Sequence, residues 1–194
     1  MAAANRSGFT LVEQVVALVI LVVIGAAVVP FIIGALDRAR VEEAAASLQG
    51  IINGTTSFNR DVRTGTALQP FPASLTHLTT PITAGALDLC SDAYTTNHAA
   101  AWRGPYIDRV VGSGGIDVAI GTAQDAFTLV TGGGATLLSI QVTGVTIEDA
   151  EDLNVLVDGD EGVNASTVGG VRWGATDADG RVLLQYLRPV PACP

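Results

Sequence analysis

The strongest constraint in this sequence is an apolar run near its N-terminus. Residues 15–36 carry no charged side chain, and about 20 apolar residues in a helix suffice to cross a hydrocarbon core roughly 30 Å thick. A secretory signal peptide is the alternative, since Arg6 precedes the run in a short polar leader. The run is longer than the usual h-region of about 7 to 15 residues, however, and a small-residue cleavage site is hard to place beyond it. The pattern therefore favours a membrane-spanning helix.

One acid lies at the start of this segment. Glu13 precedes the uncharged run by two positions, and an acid costs about 2.5 to 3.5 kcal/mol at the centre of a membrane and less near its edge. Glu13 therefore needs a partner.

The hexapeptide GFTLVE, residues 8–13, resembles the class III signal of type IV pilins and of the pseudopilins of type II secretion systems. The resemblance implies cleavage between Gly8 and Phe9 by a prepilin peptidase, followed by N-methylation of Phe9. It also implies that Glu13 neutralises the terminal amine of a neighbouring subunit during filament assembly. Four residues of helix separate Glu13 from Phe9 by about 6 Å, so an axial shift of one turn between subunits would bring acid to amine.

Proline interrupts the apolar run at Pro30. Because proline lacks a backbone donor and crowds the preceding turn, the sequence predicts a kink or a loosened turn there, eased by Gly25 and Gly34. A proline at this distance from the cut is also a feature of pilin helices. A tolerated membrane-helix proline is an equally good interpretation.

The composition and the missing motifs argue against two classes of function, nucleic-acid binding and catalysis. The chain has 194 residues, a net charge of −9 and no lysine. Nucleic-acid surfaces need clustered Lys and Arg, so no specific nucleic-acid site is expected. The sequence has neither a GxSxG nor an HExxH motif, and no phosphate-binding glycine pattern. We therefore expect a protein that is not an enzyme.

The sequence contains two cysteines, Cys90 and Cys193. In an exported domain such a pair favours a disulfide, which would close a loop of roughly 100 residues and stabilise by about 4.7 kcal/mol in the chain-entropy model. The bond would hold the tail of residues 189–194, for which no regular structure is expected. Two buried free thiols are the alternative.

After Ala35 the helical pattern changes character. Charges appear, while apolar residues recur at steps of three and four from Val41 to Phe58. One helix is predicted from about Thr10 to about Asn59, and because Gly50 and Gly54 weaken it, fraying is expected near its end. The expected fold is α+β and pilin-like, with a long N-terminal α-helix packed on a C-terminal antiparallel β-sheet. The predicted divisions are a leader at 1–8, a membrane-spanning or filament-core half-helix at 9–36, an amphipathic half-helix at 37–60, a connecting loop region at 61–115, and a β-sheet region with a C-terminal tail at 116–194.

The connecting region is rich in Pro, Thr and Ser, and one short helix is expected at residues 73–78. His77 and His98 are expected to be surface loop residues. The segment WRGPYI, residues 102–107, partly resembles the Trp-Gly-x-Pro-Tyr segment of major pseudopilins. We interpret it as a packing motif that covers the end of the first helix; a carbohydrate-binding aromatic pair is the alternative.

The remaining chain is predicted to form strands joined by glycine and aspartate turns at 132–134 and 177–180. The predicted strands are residues 116–120, 126–131, 136–145, 153–157, 167–173 and 181–187.

Seven acids and no base lie between Glu148 and Glu161. Asp158 and Asp160 could supply calcium ligands, and the resemblance to major pseudopilins implies a calcium site in a loop near the C-terminal end. The EF-hand pattern fails, however, because Gly162 stands where a ligand belongs. A solvated acidic turn is the favoured interpretation, and no cofactor is expected.

The sequence thus predicts a structural subunit of a type IV pilus-like or type II secretion pseudopilus filament. Its expected partners are identical or related pilin subunits, a prepilin peptidase, an inner-membrane assembly platform and membrane lipid. Its expected location is a bacterial inner membrane, with the C-terminal domain outside the cytoplasm, and then a periplasmic or extracellular filament. The alternative is a single-pass, membrane-tethered binding domain that never polymerises.

Overall fold

The computed structural model describes residues 10–63, 70–132, 134–159 and 167–193. It confirms the predicted α+β class, in which a long N-terminal helix packs against a five-stranded antiparallel sheet. Contacts divide the chain into two compact units, one ending at Ala39 and one running from Arg40 to Pro194.

The first helix, α1 (Leu11–Val62), has 52 residues and supplies the whole described part of the first unit except Thr10. In the second unit it presents an apolar stripe to the core. The buried apolar side chains of this stripe are Val41, Ala44, Leu48, Ile51, Ile52, Phe58 and Val62. Together with the buried Thr55 they recur at steps of three and four residues, which places them on one face of the helix. The helix ends at Val62, three residues after the predicted end at about Asn59.

The helix continues through Gly50 and Gly54 to Val62, and the predicted fraying near its end stays a prediction. Gly54 is buried, and the chain around Tyr106 and Ile107 lies directly against it. Glycine weakens a helix through backbone entropy, but here the lack of a side chain lets another segment approach closely, and tertiary packing outweighs the weak propensity.

The sheet has the strand order β1-β2-β3-β5-β4, and every pairing is antiparallel. Its long central members carry the core residues Ile140 and Leu184, which are fully buried. The strands are β1 (Ile116–Asp117), β2 (Thr122–Gly132), β3 (Ala135–Thr146), β4 (Val171–Trp173) and β5 (Arg181–Val190).

Both predicted turns join neighbouring strands. Gly132 pairs with Ala135 at the end of the β2–β3 hairpin, and Gly134 adopts a φ of 78°, which favours glycine. Between β4 and β5, the Asp177 Oδ1 accepts hydrogen bonds from the backbone N–H groups of Asp179 and Arg181 at 2.9 and 2.8 Å.

The strand predicted at residues 153–157 is wrong, because these residues belong to the helix α4 (Ile147–Asp158). The Thr146 hydroxyl caps its start by accepting from the Asp149 N–H at 3.1 Å. Gly159 ends the helix in the left-handed conformation. Leu153 is buried one turn after Ala150, which is a helical spacing. Apolar content over five residues resembled a strand, but both capping signals specify a helix.

The connecting region is more ordered than its composition suggests. The expected short helix is α2 (Thr76–Thr79), which starts three residues later than predicted. A further helix, α3 (Thr96–Ala101), was not predicted; Thr95 and His98 form a capping box at its start. Two helical segments therefore lie in a region that was expected to be mostly loop.

The predicted disulfide between Cys90 and Cys193 is present, with the two Cα atoms 5.6 Å apart. The tail that it holds is partly regular, because β5 continues to Val190. The expectation of an irregular tail from residue 189 onward is therefore wrong for its first two residues.

Candidate functional site

The described part of the first unit is an exposed apolar helix. No side chain from Thr10 to Ala39 is buried; Leu21, for example, is 65% exposed. The most apolar 18-residue window of α1 has a mean hydropathy of 3.2, and none of it is buried. By length and composition this helix could span a membrane. A core helix of a soluble protein has similar composition but is mostly buried, and this segment is not.

Helical conformation continues through Pro30. Nothing lies within 4 Å of the positions that a Cβ would take at Gly25 or Gly34. The predicted change of direction at Pro30 stays a prediction, and the unhindered glycines leave room for it.

At the start of the helix, Glu13 is bonded to Thr10. The Glu13 Oε2 accepts hydrogen bonds from both the backbone N–H and the hydroxyl of Thr10, each at 3.0 Å. In return the Glu13 N–H donates to the Thr10 Oγ1 at 3.3 Å. Each residue thus satisfies a polar group of the other, which is the geometry of a capping box.

The implied processing residues Gly8 and Phe9 lie outside the described residues. Thr10 was not singled out as a functional residue by sequence reasoning. The signal that could have found it is the T-x-x-E pattern preceding an apolar run.

In the second unit, two arginines tie α1 to the segment around β1. Arg109 donates to the Ser47 Oγ at 2.9 Å and to the Asp117 carbonyl at 2.8 Å. Arg40 donates to the Ala119 carbonyl at 3.4 Å. These contacts fix the exposed edge of α1 to the first strand.

The segment from Trp102 to Tyr106 packs against the C-terminal part of α1, as predicted. The Tyr106 ring meets the Phe58 ring edge to face at 5.6 Å, and the Trp102 ring at the same distance. The Trp102 Nε1 donates to the His77 carbonyl at 3.0 Å. Both aromatic side chains are therefore engaged in packing, which favours the structural interpretation over a carbohydrate platform.

Neither histidine is a simple surface loop residue. His77 lies in α2 and is half-buried, and its Nδ1 accepts from the Ala73 N–H at 3.3 Å. Desolvation lowers the pKa of His77, and the charges of Asp125 and Asp88 partly oppose this shift. His98 lies in α3, where its ring caps the helix. Their place in the connecting region predicted exposed loops. Instead, the His77 ring is partly buried and the His98 ring caps α3.

The candidate calcium ligand Asp158 has a different role in the described structure. Its two carboxylate oxygens accept from the backbone N–H groups of Gly170 and Val171 at 2.9 and 2.8 Å, at the start of β4. Asp160 lies outside the described residues. Within the described ranges, no three His, Cys, Asp or Glu side chains are grouped to hold a metal ion. Five of the seven acids lie on α4, so they belong to a helix and not to an acidic turn.

Two open grooves border the chain from Tyr106 to Val111. One has a volume of about 470 Å³ and reaches α2, and the other, of about 410 Å³, follows α1 beside Gly50. Both grooves are lined by Ile107, Asp108 and Arg109, and threonines of and beside α2 line the first one only. The described residues here offer surface for contact, with no paired nucleophile and base among them.

No protein-family model, curated protein or solved structure matches this chain. Functional interpretation therefore depends on the chain's own residues and on the resemblance of its N-terminal hexapeptide.

Proposed function

We propose that this chain is a structural subunit of a type IV pilus-like or type II secretion pseudopilus filament, assembled through its N-terminal helix. The observation that carries the proposal is the exposed helix from Thr10 to Ala39, whose only charged residue before Asp37 is Glu13. An apolar helix of this length needs either lipid or other helices around it. A filament subunit uses both environments in turn.

The second part of α1 supports the same function. From Val41 onward one face of the helix is buried in the α+β domain, while the apolar segment before it stays exposed. One helix thus carries a segment for assembly and a segment for folding. The domain would form the outside of the filament, and the disulfide would suit an oxidising space beyond the inner membrane.

The role proposed for Glu13 follows from charge. A carboxylate in a low-dielectric environment is stabilised by a nearby cation, and cleavage after Gly8 would create a cationic amine on Phe9. The partners proposed are further copies of this chain or related subunits, a prepilin peptidase and an assembly platform in the inner membrane.

The absence of lysine from the sequence allows a specific test. The N-terminal α-amino group, which is a secondary amine once Phe9 is methylated, is the one alkylamine that a chain without lysine offers. An intersubunit amide made by a carbodiimide must therefore join that amine to a carboxyl group. Treatment of native membranes and filaments with a lipid-soluble carbodiimide should give dimers in which mass spectrometry finds Glu13 joined to Phe9. A mature chain that still begins at Met1 would contradict the proposal.

The variant Glu13→Ala should insert into the membrane normally, be processed, and assemble poorly. The matched control is Gln14→Ala, which removes the adjacent polar side chain and leaves the acid. Normal filaments from Glu13→Ala would refute the role of this acid. An unprocessed, monomeric chain would instead support a tethered binding domain, for which the grooves beside Tyr106–Val111 are the available surface.

A further inference from the structure

The contact between Thr10 and Glu13 uses one carboxylate oxygen and spares the other. Both donors of Thr10, the N–H and the hydroxyl, reach Oε2. Among the residues that the structure describes, Oε1 of Glu13 has no hydrogen-bond partner. A carboxylate can accept about four hydrogen bonds, so the capping box leaves capacity for a donor from outside the chain.

We propose that Thr10 is a positioning residue for subunit pairing: it holds the Glu13 carboxylate through Oε2 so that Oε1 can accept a hydrogen bond from the terminal amine of a second copy. This inference depends on the proposed function, since the amine exists at Phe9 only after processing. The hexapeptide resemblance gave a role in subunit pairing to Glu13 alone. The inference adds Thr10 as the residue that holds the Glu13 carboxylate in place.

The physical reason is preorganisation. A free glutamate side chain has several rotatable bonds, and fixing them on binding costs conformational entropy. The two hydrogen bonds from Thr10 fix the carboxylate before the neighbour arrives. They also compensate part of the cost of placing the acid beside lipid, where an unsatisfied carboxylate is strongly disfavoured.

The opposite relation is also physically possible: Thr10 could compete with the amine for the carboxylate. The geometry favours positioning over competition, because both Thr10 donors converge on the same oxygen. An amine that approaches Oε1 displaces neither of them. The two relations predict opposite signs for the loss of the Thr10 hydroxyl.

The test compares Thr10→Val with Thr10→Ser in the full chain. Valine keeps the shape and the backbone N–H but loses the hydroxyl, whereas serine keeps the hydroxyl. The readout is the yield of the Glu13–Phe9 amide formed by a lipid-soluble carbodiimide in native membranes. Glu13→Gln gives the background, and mass spectrometry of the N-terminus shows that each variant is processed to the same extent.

Thr10→Val is expected to lower the yield about three- to tenfold, as for the loss of one hydrogen bond to a charged group. Thr10→Ser should restore it to within about twofold of the parent chain. An unchanged or increased yield in Thr10→Val would overturn the positioning role while the parent chain still forms the amide. Failure of the parent chain to form it would instead contradict the proposed function.

Discussion

The two parts of α1 are built from similar residues and meet different surroundings. Before Ala39 the apolar side chains surround the helix and none is buried; after Arg40 they form a stripe, and the stripe is buried. Leu21 and Leu48 show the contrast, since the first is 65% exposed and the second fully buried. The angular distribution of apolar residues around a helix, more than their number, therefore decides whether the segment packs within its own domain or against an external partner.

Two changes share the largest expected effect, and the first is removal of the disulfide, which acts on the second unit alone. The double variant Cys90→Ser/Cys193→Ser should lower the free energy of unfolding by about 2 to 5 kcal/mol, because the unfolded chain regains the freedom of a long loop. Denaturation of the full chain in detergent, followed by tryptophan fluorescence, measures this change.

Circular dichroism of the same variant gives the control. Helical signal from the segment before Ala39 should remain in detergent after the domain has unfolded, since the described side chains of that segment are not buried. Simultaneous loss of all helical signal would contradict the division of α1 into two parts.

Leucine truncations compare the two parts directly. Leu48→Ala should destabilise the domain by about 2 to 5 kcal/mol, because it removes buried methyl groups and leaves a cavity. Leu21→Ala changes the same residue type in the same helix and should leave the unfolding midpoint unchanged. A destabilisation by Leu21→Ala approaching that of Leu48→Ala would show that the first part also packs within the domain.

Two glycines in the second part of α1, one turn apart, compare a packed position with an open one. An added Cβ at Gly54 would lie 2.7 Å from the Ile107 Cγ2 and 3.2 Å from the Tyr106 carbonyl oxygen. Gly54→Ala should therefore destabilise by about 1 to 3 kcal/mol through overpacking. Gly50→Ala has open space around it and should stabilise by about 0.5 to 1 kcal/mol. Equal effects of the two changes would contradict the close approach at Gly54.

The smallest expected effect concerns pH. Burial lowers the pKa of His77 below its ordinary value of 6.5, so the folded state favours the neutral ring. Its contribution to stability is complete above about pH 6.5 and is lost as the pH falls from there through the folded-state pKa. Protonation of Nδ1 would also remove the acceptor for the Ala73 N–H.

Between pH 7.5 and 5.5 the parent chain should therefore lose stability relative to His77→Gln. Because the ring is half exposed, screening limits this loss to a few tenths of a kcal/mol. Taking the difference between the two proteins removes most of the contribution of Asp88, whose pKa burial raises. A relative gain for the parent chain on acidification would show that the sign is wrong.

Sequence reasoning succeeded where the pattern was long or local. The apolar run, the buried stripe after Val41 and the turn at Asp177 each follow from residues close in sequence, and the structure agrees with all of them. The disulfide followed from the number of cysteines and the expected compartment.

Its errors arose where a local capping signal was not used or where distant residues decide the outcome. Residues 153–157 are apolar enough for a strand, but caps at Thr146 and Gly159 enclose them in a helix. Burial of His77 depends on Tyr94, which is 17 positions away in sequence and whose hydroxyl lies 3.3 Å from the His77 Nδ1. Asp158 satisfies two backbone donors that follow it by 12 and 13 residues. Such pairings leave no periodic pattern in a single sequence.

The position of the covalent crosslink has a mechanical consequence. All five strands lie within the closed loop between Cys90 and Cys193, whose separation is 103 residues. Tension applied between Arg40 and the C-terminus would pass through the sulfur atoms and bypass the enclosed chain, so roughly 350 Å of extended polypeptide would stay unavailable for stretching. A subunit under load could lengthen by unravelling the residues ahead of Cys90, while its sheet remained enclosed.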